Sequence, residues 1–232
     1  VLAAAMPAGA GEMMTNEKLV KMLEAAIPFD VIEQKVKVSE CQFDAGSDQI
    51  IVISKAAEKG GMSTTERSAL LKLVMAKQDE EKEKLKNAVD HFMNMAANLD
   101  PDNPQEYESS MRGLQRMGLG VVPFLLQRKY IEAESEHKRF GVLDALAQLG
   151  DKNEVVVRSV RLMLYDRNPA VRRKAAEATA ALAGPKSCEE LIEELEHPRG
   201  DIQDGLCMAL GYLKDQKACL PLTTVLERSA NI

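Results

Sequence analysis

The chain has 232 residues, which is enough for one elongated domain or two small ones with a sizeable core. Hydrophobic residues make up 45% and charged residues 28%, a globular balance that argues against disorder over most of its length. The net charge of −6 lacks the basic excess typical of nucleic-acid-binding proteins, and no apolar run is long enough to span a membrane. Aromatic residues are only 4%, with no Trp, which favours packed helices over sheets.

Residues 1–14 are interpreted as a flexible segment or as the remnant of a targeting signal. The apolar run at their start ends in Ala8-Gly9-Ala10, and a signal peptidase requires small residues of this kind. A flexible Ala/Gly linker fits the same residues. The sequence therefore leaves an exported, periplasmic protein and a cytoplasmic one both open.

Residues 15–100 are predicted to form an N-terminal helical region. Thr15-Asn16 can cap the first helix, Pro28 opens the second, and Asp48 is expected to cap the third. Residues 41–46 are predicted to be a loop. Gly60-Gly61 is predicted to end the third helix, and a further helix follows it.

That further helix is predicted to start at a capping box and to run to about Leu99. In the box, Ser63 and Glu66 can each satisfy the free backbone amide of the other. The segment 100–104 contains two prolines and is the clearest break in the chain, so a domain boundary is predicted there.

Residues 15–62 resemble a small helical module found near the start of some bacterial exported proteins. Residues 19–28, Phe43-Asp44 and Ser47-Asp48 carry the resemblance. One position departs from the pattern, because Ala26 stands where the module has a glycine. The resemblance implies a bacterial source.

From residue 105 onward the sequence repeats. Successive helix ends, aligned on their last large apolar residue, are 32, 33 and 31 residues apart, at Met117, Leu149, Leu182 and Leu213. Each step holds two helical stretches, and a single hairpin cannot bury its apolar face, so the units must stack. The predicted fold is therefore all-α, with an α-solenoid of helical-hairpin repeats over 105–232 that follows the N-terminal helical region.

The best unit places its first helix at 155–165, its turn at 166–169 and its second helix at 170–183. The second helix carries small and apolar residues on one face, namely Val171, Ala175, Ala178 and Leu182. Small residues on that face allow neighbouring hairpins to approach closely.

The turn and second helix of this unit resemble the signature of the HEAT-repeat family. Residues 166–176 contain its Asp, Pro, Val-Arg and Ala, in the short form also seen in phycobilisome-lyase-type repeats. The neighbouring units match less well, since one has Lys138-Arg139 at the Val-Arg position and the other keeps Asp201 but has Gln203 for the arginine. The resemblance covers about residues 105–232 and implies the fold. Similar repeats serve as scaffolds, lyases and DNA glycosylases, so it does not imply one function.

A basic cluster lies in the same unit, where six positive side chains occur within the 17 residues 158–174. Arg158 and Arg161 are three residues apart on one helix and therefore share a face. Arg173 and Lys174 are expected to face solvent. These four are the candidate partner-binding residues.

Two interpretations of this cluster stay open. It can meet an acidic protein surface, a phosphate group or nucleic acid, or it can be a solvated face balanced by acidic residues of the next unit. Those acidic residues are Glu189, Glu190, Glu193, Glu194 and Glu196. The HEAT resemblance implies a structural role for Arg172, because the arginine after the valine tends to pair with a turn aspartate, here Asp166 or a neighbour.

No catalytic, cofactor-binding or metal site is predicted. The three histidines lie in different segments without a supporting motif, the four cysteines form no C-x-x-C pair, and no Gly-rich loop follows a strand. The leading hypothesis is a non-catalytic protein-binding scaffold that uses the concave face of the solenoid, lined by the second helices 170–183 and 201–213. A nucleic-acid- or phosphate-binding solenoid that uses 158–174 is the alternative, and a repeat-borne lyase-type enzyme is the third.

The predicted partner is therefore an unidentified protein, and nucleic acid is not expected. A homodimer is also possible, because the last predicted helix, 218–228, would expose apolar residues if nothing packs against it. These residues are Leu220, Leu222, Val225 and Leu226.

Overall fold

A computed structural model describes residues 13–98, 104–184, 187–196 and 203–230. These residues are almost entirely helical, so the predicted all-α fold is confirmed. The chain divides into two compact units between Lys84 and Leu85. Most of the predicted targeting remnant and the predicted boundary near residue 100 lie outside the described residues. No described helix is both long and apolar enough to cross a membrane.

The first unit contains three short helices and the beginning of a long one. Their bounds are Asn16–Glu24 (α1), Phe29–Val38 (α2), Ser47–Lys59 (α3) and, up to Lys84, Thr64–Ala97 (α4). Strands β1 (Met14–Thr15) and β2 (Cys41–Gln42) pair in parallel, so part of the loop predicted over 41–46 is a strand. The core consists of fully buried aliphatic side chains that include Leu19, Leu23, Ile32, Val36, Ile53, Leu70 and Val74.

The helix ends of this unit follow local capping rules. Thr15 Oγ1 accepts from Lys18 N at 3.4 Å. In the predicted capping box, Ser63 N donates to Glu66 Oε2 at 2.8 Å and Glu66 N donates to Ser63 Oγ at 3.3 Å. The third helix begins at Ser47, one residue before the predicted cap.

Ala26 follows the end of α1 in the left-handed region, with φ of 52°. The predicted resemblance of residues 15–62 to a bacterial module led us to expect a glycine at this position. A glycine is favoured there because a Cβ atom crowds the backbone when φ is positive. Ala26 is therefore a strained position within the first unit.

The second unit takes the rest of α4 and all later helices. These are Gln105–Met117 (α5), Val122–Leu125 (α6), Arg128–Ile131 (α7), Glu136–Leu149 (α8), Glu154–Leu162 (α9), Pro169–Leu182 (α10), Ser187–Glu196 (α11), Asp204–Leu213 (α12) and Cys219–Ala230 (α13). Short 3₁₀ turns continue α5 and α9 at Gly118–Val121 and Met163–Tyr165, and a third, Gln216–Ala218, precedes α13. Helices α5, α8, α10 and α12 end at the four apolar residues that define the predicted repeat step.

The second helices pack against one another. Helix α10 contacts both α8 and α12. Its predicted apolar face is buried, with Val171, Ala175, Ala178 and Leu182 at most 1% exposed. These contacts agree with stacked hairpins, while the solenoid arrangement of the whole repeat region stays a prediction. Residues 201–202, which were included in the last second helix, lie outside the described residues.

Two arginines hold successive turns in the same way. Arg139 Nη1 donates to the carbonyl oxygens of Ala133 and Glu134, and Arg172 Nη1 donates to those of Asp166 and Arg167, six and five residues earlier in each case. Each guanidinium then reaches a carboxylate further along the chain. The structural role expected for Arg172 is therefore present.

The carboxylate partner of Arg172 differs from the first expectation. Its Nε and Nη2 donate to Asp204 at 2.9 and 2.6 Å. The Asp166 carboxylate is already taken, because Arg139 Nε and Nη2 donate to its two oxygens at 2.7 and 2.9 Å. Each arginine thus bonds to the carbonyls of its own turn and to the carboxylate of the following unit.

Candidate partner-binding surfaces

The four candidate residues lie on two helices. Arg158 and Arg161 belong to α9, a first helix of the repeat, and Arg173 and Lys174 belong to α10, a second helix. Arg158 and Arg161 both line a groove beside α9, whereas Lys174 joins a set of polar contacts among the second helices and Arg173 is exposed next to it in the chain. We name these two surfaces the first-helix groove and the second-helix face.

The first-helix groove lies between α9 and α11 and has a volume of about 720 Å³. Its lining consists of Lys152, Glu154, Val157, Arg158, Arg161, Leu162, Gly184, Ser187, Glu190 and Glu194. Six of these side chains are charged, and Val157 and Leu162 are the large apolar ones.

Arg161 is paired within this groove. Its guanidinium contacts Glu190, and its Nη2 lies 3.0 Å from Glu194 Oε2. The hydroxyl of Tyr165 donates to the other oxygen of Glu194 at 2.9 Å. The groove's two glutamates on α11 are thus held by α9, and Arg161 joins the two helices.

The second-helix face is organised around Asp144 of α8. Its Oδ2 accepts from the Tyr107 hydroxyl of α5 at 2.8 Å and from Gln148 Nε2 at 3.2 Å. Its Oδ1 lies 2.7 Å from Lys174 Nζ of α10. One carboxylate therefore connects three successive second helices.

The network extends outward from Asp144 in both directions. Lys174 Nζ lies 3.7 Å from Glu177 Oε2, and Glu177 Oε1 accepts from the Tyr212 hydroxyl of α12 at 3.3 Å. On the other side, Gln148 Oε1 accepts from Gln115 Nε2 of α5 at 2.8 Å. The second-helix face thus carries one chain of polar contacts from α5 to α12.

Lys174 was expected to face solvent and does not. Its side chain is 18% exposed, it pairs with Asp144, and its Nζ lies 5.2 Å from the centre of the Phe140 ring. The reason is its position beside α8, whose carboxylate and ring both attract the ammonium group. Arg173, one residue earlier, is exposed as expected.

Burial and the neighbouring charge of Asp144 raise the pKa of Tyr107 far above its usual value. Tyr107 therefore stays protonated at neutral pH and acts as a hydrogen-bond donor. Its ring also packs against Phe92, with the ring centroids 5.3 Å apart. Both contacts fix Tyr107 in place at the edge of the second-helix face.

Three of the six positive side chains in the basic cluster 158–174 are neutralised by carboxylates, and a fourth, Arg167, donates to the carbonyl oxygen of Glu134. Arg161, Arg172 and Lys174 form ion pairs with Glu190 and Glu194, with Asp204, and with Asp144, respectively. Arg158 and Arg173 are exposed and form no ion pair with the described residues. Glutamates of the next unit supply part of this balance, as the solvated-face interpretation expects.

Most residues of the second-helix face were missing from the sequence prediction. Tyr107, Asp144, Glu177 and Tyr212 are separated by 37, 33 and 35 residues, and only the 33 residues between Asp144 and Glu177 equal the repeat step. The recurrence of an acidic residue at that step is a signal that was available. It could not show that these side chains contact one another, because contact depends on how the helices pack.

Within the described residues, no group of three or more His, Cys, Asp or Glu side chains is arranged to hold a metal ion. No family model, curated protein or solved structure matches the chain. The resemblance to HEAT repeats therefore stays a prediction, and the contacts of the two surfaces carry the functional argument.

Proposed function

We propose that this chain is a non-catalytic protein-binding scaffold whose partner lies across the second-helix face, the surface predicted to be the concave side of a HEAT-like repeat stack. The observation that carries the proposal is the chain of polar contacts from Gln115 and Tyr107 through Asp144 and Lys174 to Tyr212.

This face suits a protein partner because its side chains are held in place before binding. Asp144 and Lys174 are 14% and 18% exposed and restrained by several bonds each. Fixed side chains lose little conformational entropy when a partner arrives, so more of the contact energy appears as affinity.

The outer residues of the face are of the kinds that dominate protein interfaces. Tyr212 is 42% exposed, and Arg173 is exposed and unpaired among the described residues. Tyrosine and arginine are enriched among residues that contribute most to binding energy. We therefore assign Arg173 and Tyr212 as the principal contacts.

The ion pairs favour a protein over nucleic acid as the partner. Phosphate binding by the cluster 158–174 would have to compete with carboxylates for Arg161, Arg172 and Lys174. These contacts support the scaffold over the phosphate-binding alternative.

The test is a pull-down from lysate and envelope fractions of the source organism with two matched double variants. The face variant is Arg173→Glu with Tyr212→Ala, and the groove variant is Arg158→Glu with Leu162→Ala. Each reverses one exposed charge and truncates one exposed large side chain, so the two differ mainly in location. We expect a protein that wild type and the groove variant retain and that the face variant loses.

Two results would contradict this proposal. Loss of the partner by the groove variant alone would move the binding site to the first helices. Recovery of nucleic acid that nuclease treatment removes, together with a steep loss of binding as salt increases, would favour the phosphate-binding alternative.

A further inference from the structure

A second surface of the repeat region, on α9, exposes large apolar side chains and a cation to solvent. Along α9, Val155 and Leu162 are 63% and 56% exposed, and the exposed Arg158 lies between them. Residues 155, 158 and 162 are spaced at i, i+3 and i+7, so they form one stripe on the helix. The stripe therefore exposes to solvent an apolar, a cationic and a second apolar side chain, in that order along the helix.

Charges around this stripe are compensated unevenly. Glu190 and Glu194, on the opposite wall of the groove, are both held by Arg161. Arg158 and the exposed Lys152 form no hydrogen bond or ion pair with the described residues. Both glutamates of this wall are thus bonded to Arg161, while Lys152 and Arg158 have no ion-pair partner among the described residues. The lining also contains the carboxylate of Glu154.

We infer that the first-helix groove binds a peptide segment of a protein partner in which an acidic side chain is flanked by large apolar ones. Arg158 and Lys152 would receive the carboxylate. Leu162 and Val157, both in the groove lining, would receive one apolar side chain, and Val155 would cover the other. The order of side chains on α9 is the complement of this segment.

The energetic reason is the removal of apolar surface from water. Two large apolar side chains that are more than half exposed gain from being covered by a partner, in proportion to the area buried. Arg158 attracts a carboxylate that lies between these two apolar side chains. It also disfavours segments that have a basic residue at that place. The volume of about 720 Å³ is sufficient for a few side chains.

This inference goes beyond the proposed function, since α9 and α11 supply no residue to the polar network of the second-helix face. A partner protein can occupy either surface without the other. Variants of the two surfaces therefore distinguish failure of one proposal from failure of the other.

The experiment is selection of a random peptide library displayed on phage against the immobilised wild-type chain. A counter-selection uses the Arg158→Gln/Leu162→Ser variant. Both replaced residues are exposed, and unchanged circular dichroism will show that the variant is folded. We expect wild-type-specific peptides that contain Asp or Glu next to Leu, Ile, Phe or Met.

The selected peptides are then synthesised with a fluorophore and titrated by fluorescence anisotropy. We expect Arg158→Gln alone to weaken binding roughly tenfold, which corresponds to the loss of one charge-assisted hydrogen bond. Leu162→Ser should weaken it by a similar factor, and added salt should weaken it for wild type more than for Arg158→Gln. Leu119→Ser, which replaces a leucine that is 53% exposed outside the groove, should change nothing.

Three results would overturn the inference. One is failure of the library to enrich any peptide on wild type over the counter-selection variant. Another is enrichment of peptides without an acidic residue. The third is a set of peptides that bind the Arg158→Gln/Leu162→Ser variant as tightly as wild type but do not bind the Arg173→Glu/Tyr212→Ala variant. Such peptides would bind the second-helix face instead.

Discussion

Two successive repeats, those of α8 and α10, place an arginine at the same position and use it in different surroundings. Arg139 and Arg172 donate to the same two carbonyls of their own turns. The side chains of Arg139 and its partner Asp166 are only 5% and 10% exposed. Those of Arg172 and Asp204 are 13% and 49% exposed, so water reaches the second carboxylate.

The two repeats therefore share the geometry of the arginine contacts but differ in how much the ion pair contributes to stability. The backbone of each turn fixes where the guanidinium goes, and this is local. The contribution of the ion pair to stability depends on how far its carboxylate is shielded from water, and the neighbouring unit determines this shielding. A buried charge that loses its partner lowers the free energy of unfolding strongly, whereas a half-exposed charge is stabilised by hydration.

The largest expected effect is that of Arg139→Met, which keeps the side-chain length. It should lower the free energy of unfolding by about 3–5 kcal/mol, because Asp166 is left buried and unpaired. Arg172→Met should cost only about 1 kcal/mol, because Asp204 stays in contact with water. Urea denaturation of the two variants and wild type measures both values. Equal losses would show that exposure of the carboxylate does not distinguish the two repeats.

The next effect concerns how closely α12, the fourth of the second helices, approaches its neighbour. A Cβ atom on Gly205 would lie 2.1 Å from the carbonyl oxygen of Leu164, whereas one on Gly211 of the same helix would meet no atom of the described residues within 4 Å. Gly205→Ala should therefore destabilise the protein by about 1–3 kcal/mol through overpacking. Gly211→Ala should stabilise it by about 0.5–1 kcal/mol, because alanine favours the helix.

Thermal unfolding of the two alanine variants, compared with wild type, tests this pair. Opposite shifts of the melting temperature are expected from the same chemical change in one helix. A stabilised Gly205→Ala would mean that α12 and the 3₁₀ turn containing Leu164 can separate without loss, and the close approach would not be what holds the repeat.

Helix ends extend the comparison to the backbone. The residue that follows α8 is Gly150, with φ of 68°, while the residue that follows α12 is Lys214, with φ of 55°. Lys214→Gly should stabilise the protein by about 1 kcal/mol, because glycine adopts this conformation without strain. Ala26→Gly in the first unit should do the same. The matched control is Ala183→Gly at the end of α10, where φ is −57° and glycine should bring no gain.

The free energy of unfolding from urea titrations measures these three glycine variants. A gain for Ala183→Gly as large as that for Lys214→Gly would show that the sign of φ does not matter at these ends. A gain for Lys214→Gly but none for Ala26→Gly would restrict the strain to the repeat unit.

A further small effect comes from a position three residues before each helix end. Leu146 and Leu210 occupy it in α8 and α12, but α10 has Thr179, whose buried Oγ1 has no hydrogen-bond partner among the described residues. Thr179→Val keeps the shape and removes the unsatisfied hydroxyl, so it should stabilise the protein by about 1 kcal/mol. Thr179→Ser, which keeps the hydroxyl and loses the methyl group, is the control and should be less stable than wild type.

Much of the fold was predictable because its signals are local. The capping box at Ser63 and Glu66 and the cap at Thr15 depend on residues within one turn of a helix. The helix ends at Leu149 and Leu182 follow from apolar periodicity and the repeat step. The short strand at Cys41–Gln42 was missed because two paired residues carry no periodic pattern.

The candidate surfaces were predictable only in part. Arg158 and Arg161 share a surface, as their spacing requires, and Arg173 is exposed as expected. Lys174 follows the same pattern of charge and spacing, yet it turns toward Asp144 in the preceding repeat. No local rule distinguishes Arg173 from Lys174, because the carboxylate that attracts the lysine is 30 residues away in the sequence.

The sequence by itself determined that this protein is helical, where several of its helices begin or end, and which arginine anchors the turn of the best repeat. These features depend on backbone hydrogen bonds and on the spacing of apolar residues along one segment. Only the tertiary structure decided that Asp204 pairs with Arg172, that Asp144 joins three helices, and that Arg158 is left without a partner among the described residues. Those outcomes depend on which side chains the packing of separate helices brings within hydrogen-bonding distance, and on how much water remains between them.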